Sequence, residues 1–96
     1  MPYITTENRK KYDVQINQLI DQIASNNATD GDLNYIITKL LHSAFNLKDP
    51  KYTRINTAIG VLECCKQELY RKIAAPYEIE KCKINGDLWK IMTLLS

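Results

Sequence analysis

The sequence contains few of the residues that interrupt regular structure. Only three glycines and three prolines occur in 96 residues, which favours long regular elements over a loop-rich or all-β fold. No apolar run approaches the roughly 20 residues that a membrane-spanning helix needs. The opening MPYITTENRKKYD has no apolar segment behind its charges, as a signal peptide would have. We therefore expect a cytoplasmic protein with no membrane partner.

Cysteine and histidine are also scarce. The three cysteines, Cys64, Cys65 and Cys82, are odd in number and two are adjacent, which disfavours a disulfide framework and indicates a reducing compartment. No CxxC pair occurs, and the one histidine, His42, lies at the end of an earlier segment. We therefore expect neither a metal site nor a cofactor. The cysteines are expected to fill space in an apolar core.

Catalytic residue sets are missing as well. No serine or cysteine stands beside a base that a third group could orient, so nucleophilic chemistry has no visible basis. Glu63 and Glu68 could hold Mg²⁺ in a nucleotide hydrolase, but the second helix offers only Asp30 and Asp32, at its start. We predict that the chain is not an enzyme and keep the magnesium-dependent hydrolase as an unfavoured alternative.

Neither sign of charge is in large excess. The formal net charge is +2, with lysine and glutamate interspersed, so we expect no long nucleic acid as a partner. An anionic ligand would have to be held by a local cluster of basic side chains.

Helical periodicity is what the sequence does contain. Apolar residues recur with a period of 3.6 over three stretches, and the second stripe is wide enough to predict the most buried helix. In the third stretch, the residues expected to form the central packing stripe of the domain are Ile59, Leu62, Leu69 and Ile73. Thr5 or Thr6 can cap the first helix, Pro76 must kink or restart the third, and Gly86 suits a left-handed helix end. We predict one all-α domain over residues 1–96: a small three-helix domain with a kinked or broken third helix and an apolar C-terminal tail used in packing or oligomerisation. The expected bounds are about 6–24, 31–46, 50–75 and 76–84, with the tail at 87–96.

Two features indicate self-association. Gly60 lies inside a predicted helix, where glycine costs roughly 1 kcal/mol relative to alanine, so it indicates a special packing need. The tail carries more large apolar side chains than a three-helix core of this size can hold, and left exposed they would promote aggregation. We predict a homo-oligomer whose contacts include Gly60, Trp89, Ile91, Met92, Leu94 and Leu95.

A basic and aromatic cluster in KQELYRKIAAPYE (66–78) predicts anion binding. Arginine can grip a phosphate through two nitrogens, and tyrosine can stack on a base. The alternative is a solvated helix face carrying pairs such as Glu63 with Gln67 and Glu68 with Lys72. The predicted ligand-binding residues are Asn56, Lys66, Tyr70, Arg71, Lys72 and Tyr77.

The same residues carry a family resemblance. MPYI, DGDLNYIITKLLH, INTAIGVLE, ELYRKIAAPYE and NGD resemble a family of short, uncharacterised proteins found in tailed phages and in microbial and metagenomic sequences. The resemblance extends to about Asp87 and leaves out the tail from Leu88. It implies a phage-like context, in which case the expected location is the host cytoplasm.

The predicted function follows from these observations together. Small phage proteins that counter host defence include oligomers that sequester a nucleotide messenger, and this chain is similar in size and style. We predict a non-enzymatic homo-oligomer that sequesters an anionic nucleotide signal. The alternative is a protein–protein inhibitor or adaptor that acts on a host protein through its apolar tail.

Overall fold

The computed structural model describes residues 3–86 and 88. The chain divides into two compact units, Met1–Gly60 and Val61–Ser96. Every regular element in the described residues is helical, which confirms the all-α prediction. The α-helices are α1 (Thr6–Arg9), α2 (Asp13–Ser25), α3 (Asp30–Ala44), α4 (Tyr52–Leu69) and α5 (Ala75–Asn85), with a π-helical turn at Tyr70–Ala74 between α4 and α5.

The predicted first helix is two helices. The Thr5 hydroxyl caps α1 by accepting a hydrogen bond from the Asn8 N–H at 3.3 Å, as expected. Helical geometry then stops at Tyr12, with φ −124° and ψ −23°. Basic residues at the end of α1 and Asp13 at the start of α2 each complement the nearby helix dipole, which favours a break between them.

Helix α3 begins and ends within two residues of its predicted bounds. Thr29 and Asp32 form a reciprocal capping box at its start: the Thr29 hydroxyl accepts from the Asp32 N–H at 3.2 Å, and the Asp32 carboxylate accepts from the Thr29 N–H at 2.9 Å. Two of the N–H groups that a helix start leaves unpaired are satisfied in this way.

The long helix from Tyr52 to Asn85 passes Pro76 without stopping. Proline has no N–H and its ring clashes with the carbonyl four residues back, here that of Lys72. Just before the proline the α-helix changes to a wider π-helical turn, in which the Ala75 N–H donates to the Tyr70 carbonyl, five residues back. The predicted restart is therefore a π-turn within one helical run, and the predicted count of three helices is not exact. Gly86 ends the run with φ 88°, as expected.

The first unit buries little apolar surface. Ala58 is its only buried apolar residue among those described, at 4% exposure. Helix α3 has no buried residue, so the prediction that it is the most buried helix is wrong. Half-buried side chains come from several elements: Leu19, Ile23, Ala28, Ile36, Leu41, Phe45, Leu47 and Arg54.

The apolar stripe of the long helix is exposed. Helical periodicity shows which apolar side chains share a face of the helix. It does not show whether other parts of the same chain pack against that face. The predicted packing residues are 43–62% exposed, which corrects the expectation that they form a core: Ile59, Leu62, Leu69 and Ile73. Cys64 and Cys65 are also exposed, so they are not core residues, whereas Cys82 is half-buried.

The tail residues predicted to form oligomer contacts, Trp89, Ile91, Met92, Leu94 and Leu95, lie outside the described residues. Leu88 is described and is 79% exposed. Within the described part of the chain, no helix has the length and apolar character that crossing a bilayer requires.

Gly60 provides a test of packing on α4. A Cβ added there meets no described heavy atom within 4 Å, so close approach within the described chain does not explain the glycine. We expect Gly60→Ala to raise the free energy of unfolding by up to about 1 kcal/mol, since alanine is the better helix former. Urea denaturation measures this. Destabilisation together with loss of oligomer mass would instead show that a second copy packs against the glycine.

Candidate functional site

A polar groove lies on one face of the long helix in the second unit. Its volume is about 370 Å³, and its lining residues are Glu63, Lys66, Gln67, Tyr70 and Arg71. Their spacing of three, four, seven and eight residues places them on adjoining turns of one helix face. The first three belong to α4 and the last two to the π-turn. The groove therefore combines two cations, an amide, a phenol and a carboxylate.

The carboxylate of Glu63 is held by its neighbours along the helix. The Gln67 side-chain amide donates to it at 3.2 Å, and the Lys66 ammonium lies 3.5 Å away. The pKa of Glu63 is below its ordinary value, first because of the Gln67 hydrogen bond and second because of the Lys66 charge. The groove therefore keeps an ionised acceptor at neutral pH. The Glu63–Gln67 pair was one of those expected for a solvated helix face.

Arg71 is tethered from one side. Its Nη2 donates to the Glu68 carboxylate at 3.1 Å, while 67% of the Arg71 side chain stays exposed. The Glu68 side chain is only 11% exposed, so the acceptor is well fixed. The expected partner of Glu68 was Lys72, whereas the structure pairs Glu68 with Arg71 at the point where the helix widens into the π-turn.

Tyr70 presents its ring to the groove and its hydroxyl to the next helical segment. The residue is 54% exposed, and its hydroxyl donates to the Glu78 carboxylate at 3.3 Å. The two residues are eight positions apart: Tyr70 is the first residue of the π-turn, and Glu78 lies in α5. This hydrogen bond limits rotation of the ring, while about half of the residue stays exposed.

Three of the six predicted ligand-binding residues line this groove: Lys66, Tyr70 and Arg71. Lys72 lies in the same π-turn but does not line it. Tyr77 follows in α5, where the Lys81 ammonium stands 5.5 Å from its ring centroid. Asn56 belongs to the first unit. The structure therefore does not bring these three into the groove, and their ligand roles stay predictions.

Two lining residues were missing from the predicted ligand set. The sequence suggests Glu63 as a magnesium ligand in the unfavoured alternative and pairs it with Gln67 on a solvated helix face. The available signal was helical spacing: Glu63 lies three residues before Lys66 and seven before Tyr70, and Gln67 lies three before Tyr70. In the described residues, no three histidine, cysteine, aspartate or glutamate side chains are arranged so that they could hold a metal ion.

Other basic and aromatic clusters are arranged differently. Arg54 donates to the carbonyl and carboxylate of Asp49 at 2.7 and 2.9 Å, which fixes it at the start of α4. Arg9 donates from Nε to the Ile4 carbonyl at 3.0 Å and lies 5.8 Å from the Tyr3 ring centroid. Tyr3, Ile4 and Arg9 are among the residues that line a mostly apolar cavity of about 460 Å³ in the first unit.

Comparison with known proteins identifies a family and no characterised relative. Neither the curated proteins nor the solved structures include a match to this chain. One family model does match, over residues 1–88, and so covers all the groove residues and most of the chain. The chain therefore belongs to the family described as a domain of unknown function, DUF6899.

Proposed function

We propose that this chain is a non-enzymatic, self-associating protein that holds a small anionic nucleotide, such as a cyclic dinucleotide, in the groove of the second unit. The supporting observation is that Lys66, Tyr70 and Arg71 lie around one open groove. Its volume of about 370 Å³ falls in the range of small-molecule sites. These residue types supply charge for a phosphate and a ring for a base.

The phosphate would lie between Lys66 and Arg71. One Arg71 nitrogen donates a hydrogen bond to the Glu68 carboxylate, and the other N–H groups of Arg71 have no partner among the described residues. Lys66 is 75% exposed and pairs with Glu63 at 3.5 Å. Exposed ion pairs of this kind contribute about 0–1 kcal/mol, so a phosphate can replace Glu63 as the partner of Lys66 at small cost.

The base would stack on Tyr70. Its hydroxyl bond to Glu78 limits rotation of the ring, so little side-chain entropy is lost on binding. Glu63 and Gln67 would read the edge of the base: an ionised carboxylate accepts hydrogen bonds, and an amide both accepts and donates. Glu63 repels phosphate, so this arrangement favours a base with N–H donors on its edge, such as guanine.

The wider context of the proposal is that the protein counters a defence system of its host. The resemblance to phage-encoded proteins and the small size of the chain support a role in sequestering a nucleotide messenger in the host cytoplasm, without cleaving it. Lys72 would extend the site within the π-turn. An inhibitor of a host protein acting through the tail is the alternative that the binding experiment distinguishes.

Calorimetry with cyclic and linear nucleotides tests the proposal. We expect binding to the wild-type chain, and at least a tenfold weaker affinity for Lys66→Ala and Arg71→Ala, because each removes a phosphate contact. Lys83→Ala is a matched control: Lys83 also pairs with a glutamate three residues away at 3.5 Å and is 68% exposed. It removes the same charge outside the groove and should bind as the wild type does.

Two results would contradict the proposal. One is the absence of binding heat from any nucleotide with folded protein. The other is release of a cleaved product in the presence of Mg²⁺ or Mn²⁺ that Glu63→Gln abolishes, which would favour the hydrolase.

A further inference from the structure

An uncovered apolar seam runs along the second unit on a face separate from the groove. Its large members are between 43% and 69% exposed, and Cys65 is exposed as well. They come from α4, the π-turn and α5, which follow one another without a gap. The seam consists of Leu62, Cys65, Leu69, Ile73, Tyr77 and Ile84.

The spacing of the seam contains one irregular step. Leu62 to Leu69 and Tyr77 to Ile84 are both seven residues, the repeat that keeps a helix face toward a partner helix. Leu69 to Tyr77 is eight residues. In an α-helix of 3.6 residues per turn, eight residues overshoot two full turns by about 80°.

The π-turn removes this mismatch. Tyr70–Ala74 lies wholly inside the eight-residue step, and a π-turn takes one more residue than an α-helical turn because its bonds join residues five apart. The extra residue is absorbed there, so Tyr77 and Ile84 return to the face of Leu62 and Leu69. The seam is therefore continuous along the helix from Leu62 to Ile84.

We infer that this seam is the surface through which a second copy of the chain binds. The inference rests on the self-association in the proposed function and assigns it to this face of the helix. Five large side chains that are each 43–69% exposed, together with the residues that flank them, can contribute much of the ~800 Å² per partner that stable interfaces bury.

Charge supports a copy of the same chain as the partner. Between Val61 and Gly86 there are five basic and four acidic side chains, so each copy carries a net charge of only +1 there and repulsion between two copies is small. A two-fold arrangement pairs the seam with itself, and two-fold dimers are the commonest oligomers. The groove lies on another face of the helix, so binding of a nucleotide and of a second copy are separate events.

Sedimentation velocity on the full chain tests the seam. Leu69→Lys and Ile84→Lys place a charge on it at residues that are 61% and 69% exposed, whereas Ile79→Lys changes a residue of 58% exposure off the seam. We expect a self-associated wild type, at least a tenfold weaker association for the two seam variants, and wild-type mass for Ile79→Lys. Circular dichroism should show equal helix content in all four proteins, since none of these side chains is buried.

Two outcomes would overturn the inference. One is a monomeric wild type, which would leave the tail or another protein to cover the seam. The other is equal mass for the seam variants and Ile79→Lys. Calorimetry on the same samples keeps the two proposals separate: nucleotide binding by a monomer overturns only the seam, and an associated protein that binds no nucleotide overturns only the ligand.

The register of the seam has its own test. Pro76→Ala restores an N–H and allows the π-turn to become α-helical, which would turn Tyr77 and Ile84 about 80° away from the seam. We expect weaker self-association without loss of helix content. Deleting Ala74 in the same variant removes the extra residue and should restore association. Association that is unchanged in Pro76→Ala and lost in the double variant would contradict the role of the π-turn.

Discussion

The missing N–H of Pro76 is the constraint on which the second unit depends. An α-helix cannot accommodate proline in its interior without losing a hydrogen bond and clashing with the carbonyl four residues back. Here the turn before the proline widens, and the Ala75 N–H bonds to the Tyr70 carbonyl. This places Tyr70 and Arg71 in the π-turn, allows Tyr70 to reach Glu78, and continues the helix to Asn85. π-Turns inside α-helices often mark functional sites, and this one adjoins the groove.

One helix then carries two surfaces with different chemistry. On the groove face, each cation is paired with a carboxylate three residues away, so the face is solvated yet retains donors that a phosphate can recruit. On the seam face, apolar side chains are exposed at the spacing that helix partners use. A protein that captures a small ligand as an oligomer needs both kinds of surface, and the proposed function assigns one to each.

Local signals allowed much of the fold to be predicted. The Thr5 cap, the positive φ of Gly86 and the bounds of α3 follow from residues that act within one turn. The break at Tyr12 and the π-turn depend on backbone geometry that no single residue type specifies. Burial was mispredicted for a different reason: periodicity shows that Leu62 and Leu69 share a face, but not whether the same chain or another covers it. Half of the predicted ligand-binding residues line the candidate groove, because Lys66, Tyr70 and Arg71 cluster in sequence. The contact between Tyr70 and Glu78 could not be predicted, because it depends on the π-turn.

The adjacent cysteines allow the central claim, a second copy on the seam, to be tested without any substitution. Cys65 lies on the seam and Cys64 is turned about 100° from it, and both are exposed in the single chain. Alkylation of the native protein, followed by fragment mass spectrometry, measures the two rates separately. We expect Cys64 to react at least ten times faster than Cys65 at concentrations where the chain associates, and the two rates to converge on dilution. Equal rates in the associated protein would contradict burial of this seam between copies.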